Sequence, residues 1–143
     1  MEGVAGEMKR IAIVAVTALV LWAKPMTEAE KIRQQNMEVV KAAAASMNET
    51  LPKRIDPYTR LLRIEADGER LVYDFEVDAG PRSDEELRKR QPARTRIVRE
   101  GVCSRSARFL QSGIVIVYRY ISAATKKPLF DVVVRKEDCR FMD

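Results

Sequence analysis

The chain has 143 residues, 46% hydrophobic and 33% charged, the balance of one globular domain built around a single core. Its 26 lysines and arginines against 21 acidic residues give a net charge of +5, and it contains no histidine. The missing imidazole takes away the commonest general base, the commonest metal ligand and the side chain that changes charge near neutral pH.

From Met8 the order is Met-Lys-Arg, an uncharged run from Ile11 to Ala23, then Lys24-Pro25 and a polar continuation. A positive start, a short apolar stretch and a small residue at its end are the layout of a secretory signal. As a helix the run rises about 20 Å, short of the ~30 Å hydrocarbon core of a bilayer. Residues 1–23 are therefore read as a signal peptide or membrane anchor and residues 24–143 as a single exported domain, periplasmic or secreted. Cleavage after Ala23 is favoured over an anchor held by Trp22 at the interface, and initiation at Met8 would give the more typical signal. Glu2, Glu7, Lys9 and Arg10 cancel, so the whole net charge belongs to the exported part.

Thr27-Glu28-Ala29-Glu30 is a capping-box pattern, so a long helix is expected from there. Ile32, Asn36, Val39, Val40, Ala43 and Met47 give it one modest apolar face, and Pro52 ends it near Asn48. After a connector from Leu51 to Pro57, Leu61–Ala66 and Leu71–Val77 flank Asp67-Gly68 and read as a β-hairpin. The alternation of Leu71, Tyr73, Phe75 and Val77 with Val72, Asp74, Glu76 and Asp78 marks a half-buried strand. Ser83 to Ser112 reads as an interrupted helical insertion, broken at Pro92 and ended at Gly101. Ile114–Ser122 and Leu129–Arg135 form a second hairpin. The expected fold is α+β: one long helix across a four-stranded antiparallel sheet of two hairpins, with the helical insertion between them.

The two cysteines are Cys103, ahead of the third predicted strand, and Cys139, after the fourth. Antiparallel pairing of those strands brings both to one end of the sheet, within reach of a disulfide. Export favours the bond over the alternative of two buried thiols, and without histidine a catalytic or metal-binding role has no partner.

For catalysis the candidates reduce to carboxylates. Asp74 and Glu76 on the outward face of a strand, with Asp131, would suit a small carboxylate-only hydrolase, but solvated strand carboxylates are the commoner arrangement. No glycine pattern cradles a phosphate, and no cofactor or metal is expected. The basic stretch is more informative: Arg82, Arg88, Lys89, Arg90, Arg94, Arg96, Arg99, Arg105 and Arg108 face only four acidic residues. This is the candidate binding surface, for an acidic protein partner in the cell envelope or for an anionic membrane surface. Nucleic acid ranks last, because export removes the domain from it and the aromatics do not interleave with the basic residues. Tyr118 and Tyr120 share a strand face with Ile114 and Ile116 and read as core or core-edge residues.

Leu51-Pro52, Ile55-Asp56, Tyr73, Cys103, Leu110, Gly113, Tyr118-Arg119-Tyr120 and Asp138-Cys139, in that order, resemble the layout of small exported bacterial proteins of unknown function. The resemblance implies an envelope location and the Cys103–Cys139 bridge, and carries no active site with it. The sequence thus points to a non-enzymatic envelope protein that binds another macromolecule through Arg82–Arg108 and an exposed sheet edge. An immunity-type or inhibitor factor against a periplasmic enzyme or secretion component is the alternative.

Overall fold

The computed structural model describes residues 24–142, so the apolar run ending at Ala23 lies outside the described residues. The chain divides into one unit ending at Lys31 and another beginning at Ile32. Helix α1 spans Glu28–Asn48. At its start the Glu30 amide donates to Thr27 Oγ1 (3.2 Å) and the Thr27 amide to the Glu30 carboxylate (3.3 Å), the reciprocal pair its sequence calls for.

Five strands follow rather than four: β1 (Lys53–Asp56), β2 (Thr59–Asp67), β3 (Arg70–Val77), β4 (Val115–Ser122) and β5 (Pro128–Val134). They form one sheet in the order β1-β2-β3-β4-β5. The expected all-antiparallel pairing is corrected at the centre, where β3 and β4 run parallel. Parallel neighbours require a crossover of a dozen or more residues, and the helical insertion supplies it. It consists of α2 (Asp84–Arg88), α3 (Gln91–Arg105) and α4 (Ala107–Gln111). Pro92 begins α3 instead of breaking it, because the first turn has no intrahelical acceptor for the amide that proline lacks. Gly101 lies inside α3 rather than ending it. The helix-propensity cost of glycine, about 1 kcal/mol, is outweighed where Val98, Val102 and Cys103 of the same helix are buried.

Register places Leu71 beside Ile116, Tyr73 beside Tyr118 and Phe75 beside Tyr120 on one face, and Val72 beside Val117 and Asp74 beside Arg119 on the other. Both core clusters lie on the first face. Val40 and Ala44 of α1 pack with Ile64, Leu71 and Ile114. Val98, Val102 and Cys103 of α3, with Leu87 and Leu110, pack against Phe75, Ile116, Tyr120, Val132 and Val134. The long helix was expected across one face of the sheet, with the insertion given no place on it. Its buried residues are only Asn36, Val40 and Ala44, too narrow a stripe for five strands, so α3 covers the β4–β5 side.

The other face corrects the view of Asp74 as a solvated carboxylate. Arg63, Asp74, Arg119 and Asp131 stand in register as a row of alternating charge across four strands. Asp74 is fully buried and accepts from Arg119 Nε (2.7 Å) and Nη2 (3.1 Å), with Arg63 Nε at 2.9 Å. Glu65 completes the group, 2.8 Å from Arg63 and 2.9 Å from Arg119. The hydrogen bonds from Arg119 to Asp74 raise the guanidinium pKa further above its ordinary value. Glu76 is held by Lys126 (3.0 Å) and Arg60 (4.0 Å).

Neither sheet edge offers a long open ladder. β1 is four residues, led by Lys53 and Arg54 and interrupted by a register shift before Asp56. Beyond its reach, the Asn48 side chain donates to the Ile64 carbonyl (2.7 Å) and accepts from the Ile64 amide (2.9 Å), standing in for a strand neighbour. On β5, Arg88 donates to the Pro128 carbonyl (3.0 Å) and Arg99 to the Val133 carbonyl (3.4 Å). Short, charged and capped edges resist pairing with a further strand, so the exposed-edge route to a partner is not supported.

The Cys103–Cys139 disulfide is present, with Cα atoms 5.5 Å apart. It joins α3 to the 3-10 turn Lys136–Met142, not two strand ends.

Candidate functional site

Between α3 and the β1–β2 arm runs a groove of about 600 Å³, lined by Ile55, Leu61, Tyr73, Phe75, Arg94, Ile97, Gly101, Arg105, Tyr118 and Tyr120 among others. Its floor follows from strand alternation: Tyr73, Phe75, Tyr118 and Tyr120 all project from the helix-covered face, and Phe130 extends the row from β5. Ring centroids lie 4.9 Å apart for Tyr73–Tyr118 and Phe75–Tyr118, 5.2 Å for Phe75–Tyr120 and 5.0 Å for Tyr120–Phe130. Contacts at this spacing hold the rings in place beyond what burial alone does, so the floor is preformed. The α3 wall presents Arg94 and Arg105, eleven residues or about three helical turns apart, on one side of the helix. At the rim Ile55 and Ile97 are each more than half exposed (51% and 54%), and Tyr58, on the neighbouring β1–β2 turn, is 62% exposed.

The groove continues into a smaller cleft of about 290 Å³ with which it shares Asp56, Thr59, Arg94 and Tyr120. The β1–β2 turn, the segment after β3, α2 and β5 wall this cleft, and Arg82, Arg90 and Arg94 stand around it. Arg94 lies 5.9 Å from the centroid of the Tyr120 ring, within cation–π range. Burial pushes the Tyr73 and Tyr120 phenols up to about 12; Tyr118 adds to both, while Arg105 opposes the shift at Tyr73 and Arg94 opposes it at Tyr120.

The nine basic residues singled out in the sequence do not form one surface. Arg82, Arg90, Arg94 and Arg105 surround the groove and cleft, and among the described residues their side chains make no ion pair or hydrogen bond. Arg88 and Arg99 are tied to β5 carbonyls. Arg99 also stands 3.8 Å from Asp138, and its Nε is buried without a partner. Arg96 lies with Arg99 at a second cleft on the far side of α3, where Glu100, Glu137 and Asp138 balance the charge. Lys89 and Arg108 are exposed.

Sequence reasoning missed the apolar half of the site. Ile55 fell in what read as a connector, and Tyr118 and Tyr120 read as core or core-edge residues. The available signal was the number of rings sent to one face by β3, β4 and β5, more than an alanine-rich helix could cover.

Among the described residues no helix is long and apolar enough to cross a membrane. No family model and no curated protein sequence matches the chain. Three solved structures share its fold at low identity. One is a protein of Pseudomonas aeruginosa classed as secreted (TM-score 0.69, 16% identity, covering 81% of this chain and 100% of that one). The others are type II secretion system pilotins. EpsS of Vibrio vulnificus has a TM-score of 0.61 and 13% identity, covering 77% of this chain and 96% of that one. AspS of Vibrio cholerae has a TM-score of 0.59 and 15% identity, covering 79% and 100%. The chain therefore shares its fold, along most of its length, with a protein classed as secreted and with two type II secretion system pilotins.

Proposed function

We propose that this chain is an exported, non-enzymatic envelope protein whose aromatic groove binds an apolar segment of another envelope protein. The observation that carries the reading is the groove itself: a preformed aromatic floor, an exposed apolar rim at Ile55 and Ile97, and arginines along its walls that make no ion pair among the described residues. Rigid aromatics with arginine are the residues that dominate protein–protein binding energy. The pilotins among the fold neighbours support a secretion-system component as the partner class. A membrane surface is less well served, because the basic residues split to either side of α3 and two of them are engaged with β5. The carboxylates considered for hydrolysis offer little to a substrate, since Asp74 and Glu76 are held by basic side chains.

The test is affinity purification from the envelope fraction with the wild type, Ile97→Asp in the groove, and Asp131→Asn on the opposite face. The expected result is a partner retained by the wild type and D131N and lost by I97D. Equal retention by all three would overturn the groove as the binding site.

A further inference from the structure

The smaller cleft differs from the groove that leads into it. Arg82, Arg90 and Arg94 converge on it, while its only carboxylate among the described residues, Asp56, is turned to its own loop, where it accepts from the Tyr58 amide (2.8 Å). Elsewhere Arg60, Arg63 and Arg119 find carboxylates of the same sheet, whereas among the described residues Arg82, Arg90 and Arg94 make no ion pair, and three guanidiniums outnumber the one carboxylate in the cleft lining. The first turn of α3, which follows Arg90, contains no acidic residue, and its dipole adds charge of the same sign. The remaining lining is apolar, chiefly Leu87, Tyr120 and Leu129.

The shape complements the charge. A chain lying along the groove meets α2 and the segment after β3 at the cleft, whose volume of about 290 Å³ has room for a side chain and a carboxylate. We infer that the cleft receives the free C-terminus of the partner segment, its last apolar side chain against Leu87, Tyr120 and Leu129 and its terminal carboxylate among Arg82, Arg90 and Arg94. This rests on the groove being the binding site and adds which end of the partner is read. Paired guanidinium–carboxylate contacts give such a site direction as well as affinity.

The probes are synthetic amphipathic peptides ending in Leu, Phe or Val, each made as the free acid and as the C-terminal amide, with octanoate as a carboxylate that is not a peptide. They are titrated into the isotope-labelled full chain and followed by NMR. The expected result is perturbation of Leu87 and Leu129 by a free acid, with its amide binding about tenfold more weakly or worse, the order expected for charge-assisted hydrogen bonds. Arg82→Gln with Arg90→Gln, both in the cleft lining and outside that of the groove, should abolish the difference between acid and amide while the amide still binds. If acid and amide bind the groove residues equally, the terminus reading falls and the groove reading stands. If octanoate fills the cleft more tightly than every peptide acid, the cleft belongs to a small amphiphile and the inference is wrong. Absence of binding by every peptide at about millimolar concentration would overturn both readings.

Discussion

Asp74 shows how a single side chain can look one way in sequence and behave another way in the fold. Alternation with Phe75 places it correctly on the face away from the helices, but its burial depends on Arg63 and Arg119 arriving from two other strands, a convergence no local pattern encodes. Asp74→Asn keeps the shape and removes the charge that both guanidiniums face. Removing one member of a buried ion pair costs about 3–5 kcal/mol, and because both arginines are partly exposed the loss should fall near 3, measured by urea unfolding. Asn48 is a parallel case: its position at the helix end was readable, its bonding to both Ile64 backbone groups was not. Asn48→Ala should cost about 1–3 kcal/mol in the same assay, the penalty for leaving buried backbone groups unpaired. The groove tyrosines predict a pH dependence. Folding raises Tyr73 and Tyr120 from 10.0 to about 12, so between those values the native state keeps protons that the unfolded chain has released. Stability is unaffected by these groups below pH 10 and falls as pH rises through that window, with their phenolate absorbance appearing only near its upper end.

Among the elements, those specified locally were legible. The capping box fixes the start of α1, Asp67-Gly68 turns β2 into β3 with Gly68 at φ 59°, and the loop after Ser122 joins β4 to β5. Strand order was not legible, because it depends on how the helical insertion returns the chain to the sheet. A crossover that brings β4 back parallel to β3 and a hairpin-like return differ in no single residue. α3 then serves two purposes: Val98, Val102 and Cys103 bury one side of it, and Arg94, Ile97 and Arg105 line the groove on another. The disulfide fixes this helix against the C-terminal turn across a sequence separation of 36, a loop whose closure is worth about 4 kcal/mol on the chain-entropy model. Cys103→Ser with Cys139→Ser should lower unfolding stability by about that amount. A loss under about 1 kcal/mol would show that packing alone holds α3 in place.

At the scale of the whole molecule, the sheet has one face lined by alternating charge and another covered unevenly by two helices, and the groove is the gap left between α3 and the β1–β2 arm. Half of that site was visible in sequence as the basic stretch from Arg82 to Arg108; the other half required β1, β3 and β4 to assemble around it. The proposal of export adds an independent expectation. Protein recovered from its native host should begin at Lys24 and be lighter by two hydrogens than its reduced form; a full-length species with two free thiols would contradict it. The central claim, that this gap is where a partner binds, is tested most directly by placing a photo-crosslinking residue at Ile97 or Ile55, and as a control at Asp131, in the living host. The account predicts a crosslink to one envelope protein from both groove positions and none from Asp131. Crosslinking that is equal at all three positions, or confined to Asp131, would contradict it.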